Sequence, residues 1–171
     1  YPQEFYENGL RLITVPTRRN MAETVNPMIK SLNYLNNILA KIEANLAGVP
    51  EAIMLNQEGY VAECTGDNIF IIKGKTLITP ASVYGALKGI TRGVAMELAA
   101  GIGLDVQEAL LTRYDLYVAD ECFLTGTAAE VIPVVEIDGR KIGAGVPGPY
   151  TKQLVKLYRE KAMAEGTPIY E

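Results

Sequence analysis

The stretch Ile69-Phe70-Ile71-Ile72-Lys73-Gly74-Lys75-Thr76-Leu77-Ile78-Thr79-Pro80 decides the fold. It holds two short apolar runs parted by a Lys-Gly-Lys turn, which is the pattern of a β-hairpin. Thr79-Pro80 closes that meander. Just upstream, Ala52-Ile53-Met54-Leu55, the Gln57-Glu58-Gly59 turn and a second strand from Tyr60 repeat the arrangement. Hairpins rather than regular strand–helix–strand crossovers dominate. The class this predicts is α+β, with helices packed on a mostly antiparallel, barrel-like sheet.

Outward from that centre, Leu10-Arg11-Leu12-Ile13-Thr14-Val15 reads as a strand stopped by Pro16, and residues 17–27 as polar loop. From Lys30 to Leu46 the apolar residues Leu32, Leu35, Ile38, Leu39, Ile42 and Leu46 recur at helical spacing, and Gly48 and Pro50 end that helix. A helix is expected from Thr91 to Ala100, a strand from Val106 to Leu110, and a short helical turn from Leu116 to Ala119. Cys122-Phe123-Leu124 and Val131 to Ile137 are strands bracketing Thr125-Gly126-Thr127, and Asp138-Gly139 is a tight turn. Pro149 to Ala164 reads as an amphipathic helix with Leu154, Val155 and Tyr158 on one face. There is no internal repeat and no Pro/Gly/Ser-rich linker, so residues 1–171 are expected to form one domain.

Composition narrows the chemistry. Of the 171 residues 49% are hydrophobic and 21% charged, enough apolar material for a sizeable core. No run approaches the roughly 18 apolar residues a membrane span needs. The start, Tyr1-Pro2-Gln3-Glu4-Phe5, has neither an initiator Met nor the layout of a signal peptide. We therefore expect a soluble, cytoplasmic chain that begins partway through a longer protein. Net charge is −4 with the basic residues dispersed, and Arg18-Arg19 is too small a cluster for a nucleic-acid footprint. Cys64 and Cys122 lack metal-ligand spacing and are expected to be buried thiols. There is no histidine, which excludes Ser–His–Asp and Cys–His catalysis and His-ligated metals within this chain. Acid–base work must then fall to Lys, Tyr, Asp, Glu, Cys or a cofactor.

Four segments could hold such chemistry, each with a plain alternative. Lys30, after Pro27-Met28-Ile29 and just ahead of the expected helix, is either a solvated lysine or a partly buried one. In the second case a lowered pKa would make it an imine-forming nucleophile. Glu63, in Tyr60-Val61-Ala62-Glu63-Cys64-Thr65-Gly66-Asp67-Asn68, either faces solvent or aims a carboxylate into a pocket, where it holds a partner nitrogen protonated. Lys88-Gly89-Ile90-Thr91-Arg92 opens a helix whose free amides suit a phosphate, or is an ordinary capped turn. Thr125-Gly126-Thr127-Ala128-Ala129-Glu130 offers amides and hydroxyls to an anion, or is turn chemistry alone.

Taken in order, the four segments resemble the fold-type IV pyridoxal-phosphate aminotransferases. The match runs from Ile29-Lys30-Ser31-Leu32-Asn33-Tyr34, through Glu63-Cys64-Thr65-Gly66-Asp67-Asn68-Ile69-Phe70 and Gly89-Ile90-Thr91-Arg92, to Leu124-Thr125-Gly126-Thr127-Ala128-Ala129-Glu130. Asn33-Tyr34 is similar to the branched-chain amino acid aminotransferases within that family. The resemblance implies the large domain of the D-amino acid aminotransferase-like fold, with pyridoxal 5'-phosphate as cofactor. It implies that Lys30 binds the cofactor covalently and moves the substrate proton, and that Glu63 pairs with the ring nitrogen. Tyr34 would bond the ring's phenolic oxygen, and the amides of Ile90 and Thr91, with Thr127, would take the phosphate. Thr127 and Ala128 would seat the substrate carboxylate. The implied reaction passes an amino group from Leu, Ile or Val to 2-oxoglutarate, in a homodimer or higher homo-oligomer.

The family's smaller N-terminal domain, which supplies an arginine to the phosphate, is expected to be missing; Arg18 and Arg19 do not match that arginine's position. A fragment without it would bind the cofactor more weakly, since one charged hydrogen bond is worth on the order of 1.5–3 kcal/mol, and could be inactive alone. The same fold admits an aminodeoxychorismate lyase or a D-amino acid aminotransferase. A non-catalytic self-association module is the rival of another class, and it expects an exposed Lys30 whose replacement by Ala is silent.

Overall fold

A computed structural model describes residues 1–166 and 169. The elements run α1 (Gln3–Asn8), β1 (Leu10–Thr14), α2 (Leu35–Leu46), β2 (Glu51–Leu55), β3 (Val61–Cys64), β4 (Asn68–Lys73) and β5 (Thr76–Pro80). After a 3-10 turn at Ser82–Tyr84 come α3 (Ile90–Gly101), β6 (Asp105–Ala109), α4 (Arg113–Tyr117), β7 (Glu121–Gly126), β8 (Glu130–Ile137), β9 (Arg140–Lys141) and α5 (Pro149–Ala164).

One sheet holds all nine strands, in the order β3-β2-β1-β8-β7-β4-β5-β6 with β9 beside β8, and curls into a half-barrel. The predicted hairpins are present, β2 with β3 and β4 with β5. Antiparallel pairing also joins β4 to β7, β7 to β8 and β8 to β9. Embedded among them are two crossovers that the hairpin reading did not foresee. β1 runs parallel to β2 with α2 between them in sequence, and β5 parallel to β6 with α3 between them. Parallel neighbours need a connection long enough to return the chain, and a helix of 12 residues does so in each case.

The apolar run of β4 is continuous because both its faces are buried. Ile69 and Ile71 join one core with Leu10, Leu12, Ile53, Leu124 and Ile132. Phe70 and Ile72 join the other, where α3 and α5 lie, with Ala95, Ala99, Phe123 and Leu154. Phe70 stacks on Phe123 with ring centroids 4.8 Å apart. The C-terminal helix has the bounds expected, with Pro149 at its first turn, Leu154 buried, and Val155 and Tyr158 packed against the second core. Cys64 and Cys122 are buried free thiols. No helix among the described residues is long and apolar enough to cross a membrane.

The reading of α2 needs two corrections. The helix begins at Leu35, not Lys30, because short side chains ahead of it bond the backbone locally. Asn26 Oδ1 accepts the Met28 N–H at 3.0 Å and Ser31 Oγ the Asn33 N–H at 3.3 Å, both alternatives to a helical ladder. The second correction concerns direction. Leu32, Leu35, Ile38, Leu39, Ile42 and Leu46 all stand exposed, whereas Asn37, Ala40 and Ala44 face inward. The period was that of a helix, but a period does not say which stripe meets the core. Two alanines let α2 lie close against β2, around Val15, Ala52 and Met54.

Candidate active site

Glu63 sits in β3, buried, where the sheet edge meets the loop that follows β1. That loop is pinned to the sheet, since the Arg19 N–H donates to the Leu55 carbonyl at 2.9 Å. The buried Arg19 guanidinium therefore reaches Glu63. Its Nε and Nη2 donate to Oε1 at 3.0 and 2.8 Å, and its Nη1 donates to Asn37 Oδ1 at 2.9 Å. Asn37, the polar residue on the inner face of α2, spends its amide on the Thr65 carbonyl at 2.8 Å. The other carboxylate oxygen, Oε2, accepts the Leu87 N–H at 2.8 Å and a longer contact from Asn68 Nδ2 at 3.3 Å. Burial pushes the Glu63 carboxyl up, while Arg19, the Leu87 N–H and the Lys30 charge pull it back. Every donor but one is short, so the position at Oε2 held by Asn68 is the one most easily ceded to another N–H.

Lys30 and Tyr34 line the same cleft as Glu63, together with Arg19, Asn37, Asp67 and Asn68. Lys30 lies on irregular backbone and is exposed, so the helix-start argument for it falls away, and so does the partly buried lysine. Exposure is what the self-association reading expected of Lys30. Its place in the wall of a cleft floored by a buried carboxylate is not something that reading requires. Tyr34 is the residue that caps α2.

The two remaining segments flank the cleft without lining it. Ile90 and Thr91 are the first residues of α3, and no acceptor among the described residues takes their N–H groups or that of Arg92. The Ile90 side chain is exposed, and Thr91 is buried with Oγ1 3.5 Å from the Tyr158 hydroxyl. This helix start is held against the cleft wall by Asn68, whose Nδ2 donates to the Leu87 carbonyl at 2.9 Å. A Cβ at Gly89 would collide with Asn68 Oδ1, so only glycine permits that approach. Thr127 and Ala128 are exposed in the turn between β7 and β8. Pairing of Asn68 with Thr125 brings that turn beside the cleft, and a Cβ at Gly126 would collide with Asp67 Oδ1.

Asn68 entered the sequence reading only as part of the Glu63 segment, and Arg19, Asn37 and Asp67 were given no role there. Arg19 had a readable signal, because a glutamate buried in a strand needs a cation, and Arg19 lies in the polar loop nearest Lys30. Asp67 carries a carboxyl pushed up to about 6, first by burial and then by the charge of Glu51, with Lys41 and the Tyr1 hydroxyl opposing. No group of three or more metal-ligating side chains exists among the described residues.

The family described as Amino-transferase class IV matches residues 1–137 of the chain. The branched-chain-amino-acid aminotransferase of Pseudomonas aeruginosa is 46% identical over 157 residues, covering 91% of this chain and 51% of that protein. Among solved structures, the branched-chain aminotransferase of the thermophilic archaeon Thermoproteus uzoniensis with norvaline matches with a TM-score of 0.90. Identity there is 40%, over 96% of this chain and 55% of that one. The PLP-form of the Thermobaculum terrenum branched-chain amino acid aminotransferase gives a TM-score of 0.88 at 40% identity, over 92% and 52% of the two chains. The chain thus spans about half the length of the curated relatives and solved structures it matches.

Proposed function

Since the chain belongs to the aminotransferase class IV family, we propose that residues 1–171 form the large, cofactor-holding domain of a pyridoxal-phosphate-dependent aminotransferase. Its substrates are branched-chain amino acids, with 2-oxoglutarate as amino acceptor. The observation that carries this reading is the convergence of Lys30, Tyr34 and Glu63 on one cleft, with the free amides of α3 held against its wall by Asn68.

That donor set fits the cofactor. A phosphate suits the amides of Ile90 and Thr91 at the start of a helix, where the peptide dipoles add partial positive charge. Thr127, on the turn beside Asp67, offers a hydroxyl to the same group. Glu63 would pair with the ring nitrogen, and the Arg19 guanidinium at 2.8 Å favours the ionised carboxylate that can hold that nitrogen's proton. The Tyr34 phenol, in the cleft wall, would donate to the ring oxygen. When bound, pyridoxal phosphate supplies an electron sink for the carbanion left by deprotonation at the substrate α-carbon. Lys30 Nζ is the base and then the acid for that proton, so no histidine is needed. Thr127 and Ala128 orient the substrate carboxylate. Assembly as a homodimer or higher homo-oligomer would cover the exposed apolar stripe of α2.

Incubating the full-length protein with leucine, 2-oxoglutarate and pyridoxal phosphate tests the reaction. Stoichiometric glutamate and 4-methyl-2-oxopentanoate are expected; consumption of leucine without glutamate, or no reaction, overturns it.

A further inference from the structure

The turn that joins β7 to β8 is held in place by two helices, α1 and α5. It is three residues long, and the residue that closes it, Glu130, has φ 55, in the left-handed region where a side chain is disfavoured. Such a conformation persists only where its surroundings over-determine it. Here they do. The Glu130 carboxylate accepts Arg159 Nε of α5 at 2.8 Å. The Arg159 guanidinium lies over the Tyr6 ring of α1, 4.5 Å from its centroid. The Tyr6 hydroxyl donates to the carbonyl of Ala129, inside the turn, at 3.2 Å. One helix thus holds the strained residue by its side chain, another holds its neighbour by the backbone, and the ring–guanidinium stack ties the two helices together. The other end of the turn is fixed too, because Gly126 lies against Asp67 with no room for a Cβ.

Tyr6, Glu130 and Arg159 lie outside the cleft lining, and each is already engaged by its partner in this chain of contacts rather than by the anion site. We infer that Arg159 and Tyr6 are positioning residues, which clamp the Thr127–Ala128 segment in the conformation that receives the cofactor phosphate and the substrate carboxylate. This rests on the role of that segment given under Proposed function. A three-residue turn with a left-handed exit has slacker alternatives, and the clamp removes them before an anion arrives. The expected signature is in binding rather than in turnover.

The test uses the full-length protein with Arg159→Met, Arg159→Lys and Tyr6→Phe. Three quantities are read: pyridoxal phosphate affinity by absorbance titration, KM and kcat for leucine, and thermal unfolding without cofactor. Arg159→Met and Tyr6→Phe should each weaken cofactor affinity and raise KM about two- to fivefold, with kcat within about twofold, as an ion pair or hydrogen bond of this exposure implies. Arg159→Lys, which keeps the charge but not the planar stack, should recover part of the loss. A double variant, Arg159→Met with Glu130→Gln, should be no worse than Arg159→Met alone. Variants that bind cofactor and leucine as the unaltered protein does, whatever their melting temperatures, overturn the clamp and leave the function standing. An unaltered protein that takes up no pyridoxal phosphate on Lys30 overturns both.

Discussion

Replacing Arg19 by Met should destabilise the protein in a way that depends on pH. Arg19 and Glu63 are each about 7% exposed at the side chain and 2.8 Å apart. The substitution keeps the length of the stem and removes both donors to Glu63 Oε1, together with the donor to Asn37 Oδ1. A buried carboxylate left without its cation costs about 3–5 kcal/mol. For a chain of this size each kcal/mol moves the melting temperature by about 2–4 °C, so a fall of about 6–20 °C is expected at pH 7. The sign with pH follows from Glu63. Burial already raises its carboxyl, and losing Arg19 raises it further. A carboxyl raised in the folded state destabilises once the unfolded form ionises, so the deficit should be small below about pH 4 and grow as pH rises through the raised folded value. Urea unfolding followed by circular dichroism between pH 4 and 8 measures it. The double variant Arg19→Met with Glu63→Gln should recover much of the loss, because no uncompensated charge remains. A deficit that is flat with pH, or a double variant as weak as the sum of the singles, would refute the reasoning.

Asp67, pushed up to about 6 in the fold, should withdraw about 2–3 kcal/mol of stability as pH rises from about 4 to 6. Asp67→Asn should flatten that slope in urea titrations, and an unchanged slope assigns it elsewhere. Gly89→Ala puts a methyl group into Asn68 Oδ1; overpacking of this kind costs about 1–3 kcal/mol, and pyridoxal phosphate affinity should fall with it. Equal affinity would detach α3 from the site. On the outer stripe of α2, Ile38→Lys with Ile42→Lys should leave the fold intact and shift sedimentation towards monomer, whereas an unmoved distribution puts the interface on another face.

How much of this was legible depends on whether the signal was local. The β4–β5 hairpin was readable because its turn glycine and both apolar runs lie within twelve consecutive residues. The bounds of α5 were readable because Pro149 begins it and its apolar face is the one the core takes. The parallel pairing of β1 with β8, about 125 residues away, had no local mark at all. α1, six residues without a buried side chain, had too little periodicity to announce itself. α2 shows the limit of pattern reading, since the stripe was real but its inner side is built from Asn37, Ala40 and Ala44. In the site, Lys30, Tyr34 and Glu63 were found by motif and do share a cleft. Arg19 was missed because the need of a buried glutamate for a cation does not say which cation, 44 residues away, meets it.

The most direct test of the central claim is borohydride reduction of the full-length protein with pyridoxal phosphate, followed by peptide mapping. A single reduced adduct on Lys30, absent in Lys30→Ala, is the predicted result. An adduct spread over exposed lysines, or one that survives Lys30→Ala, would contradict it.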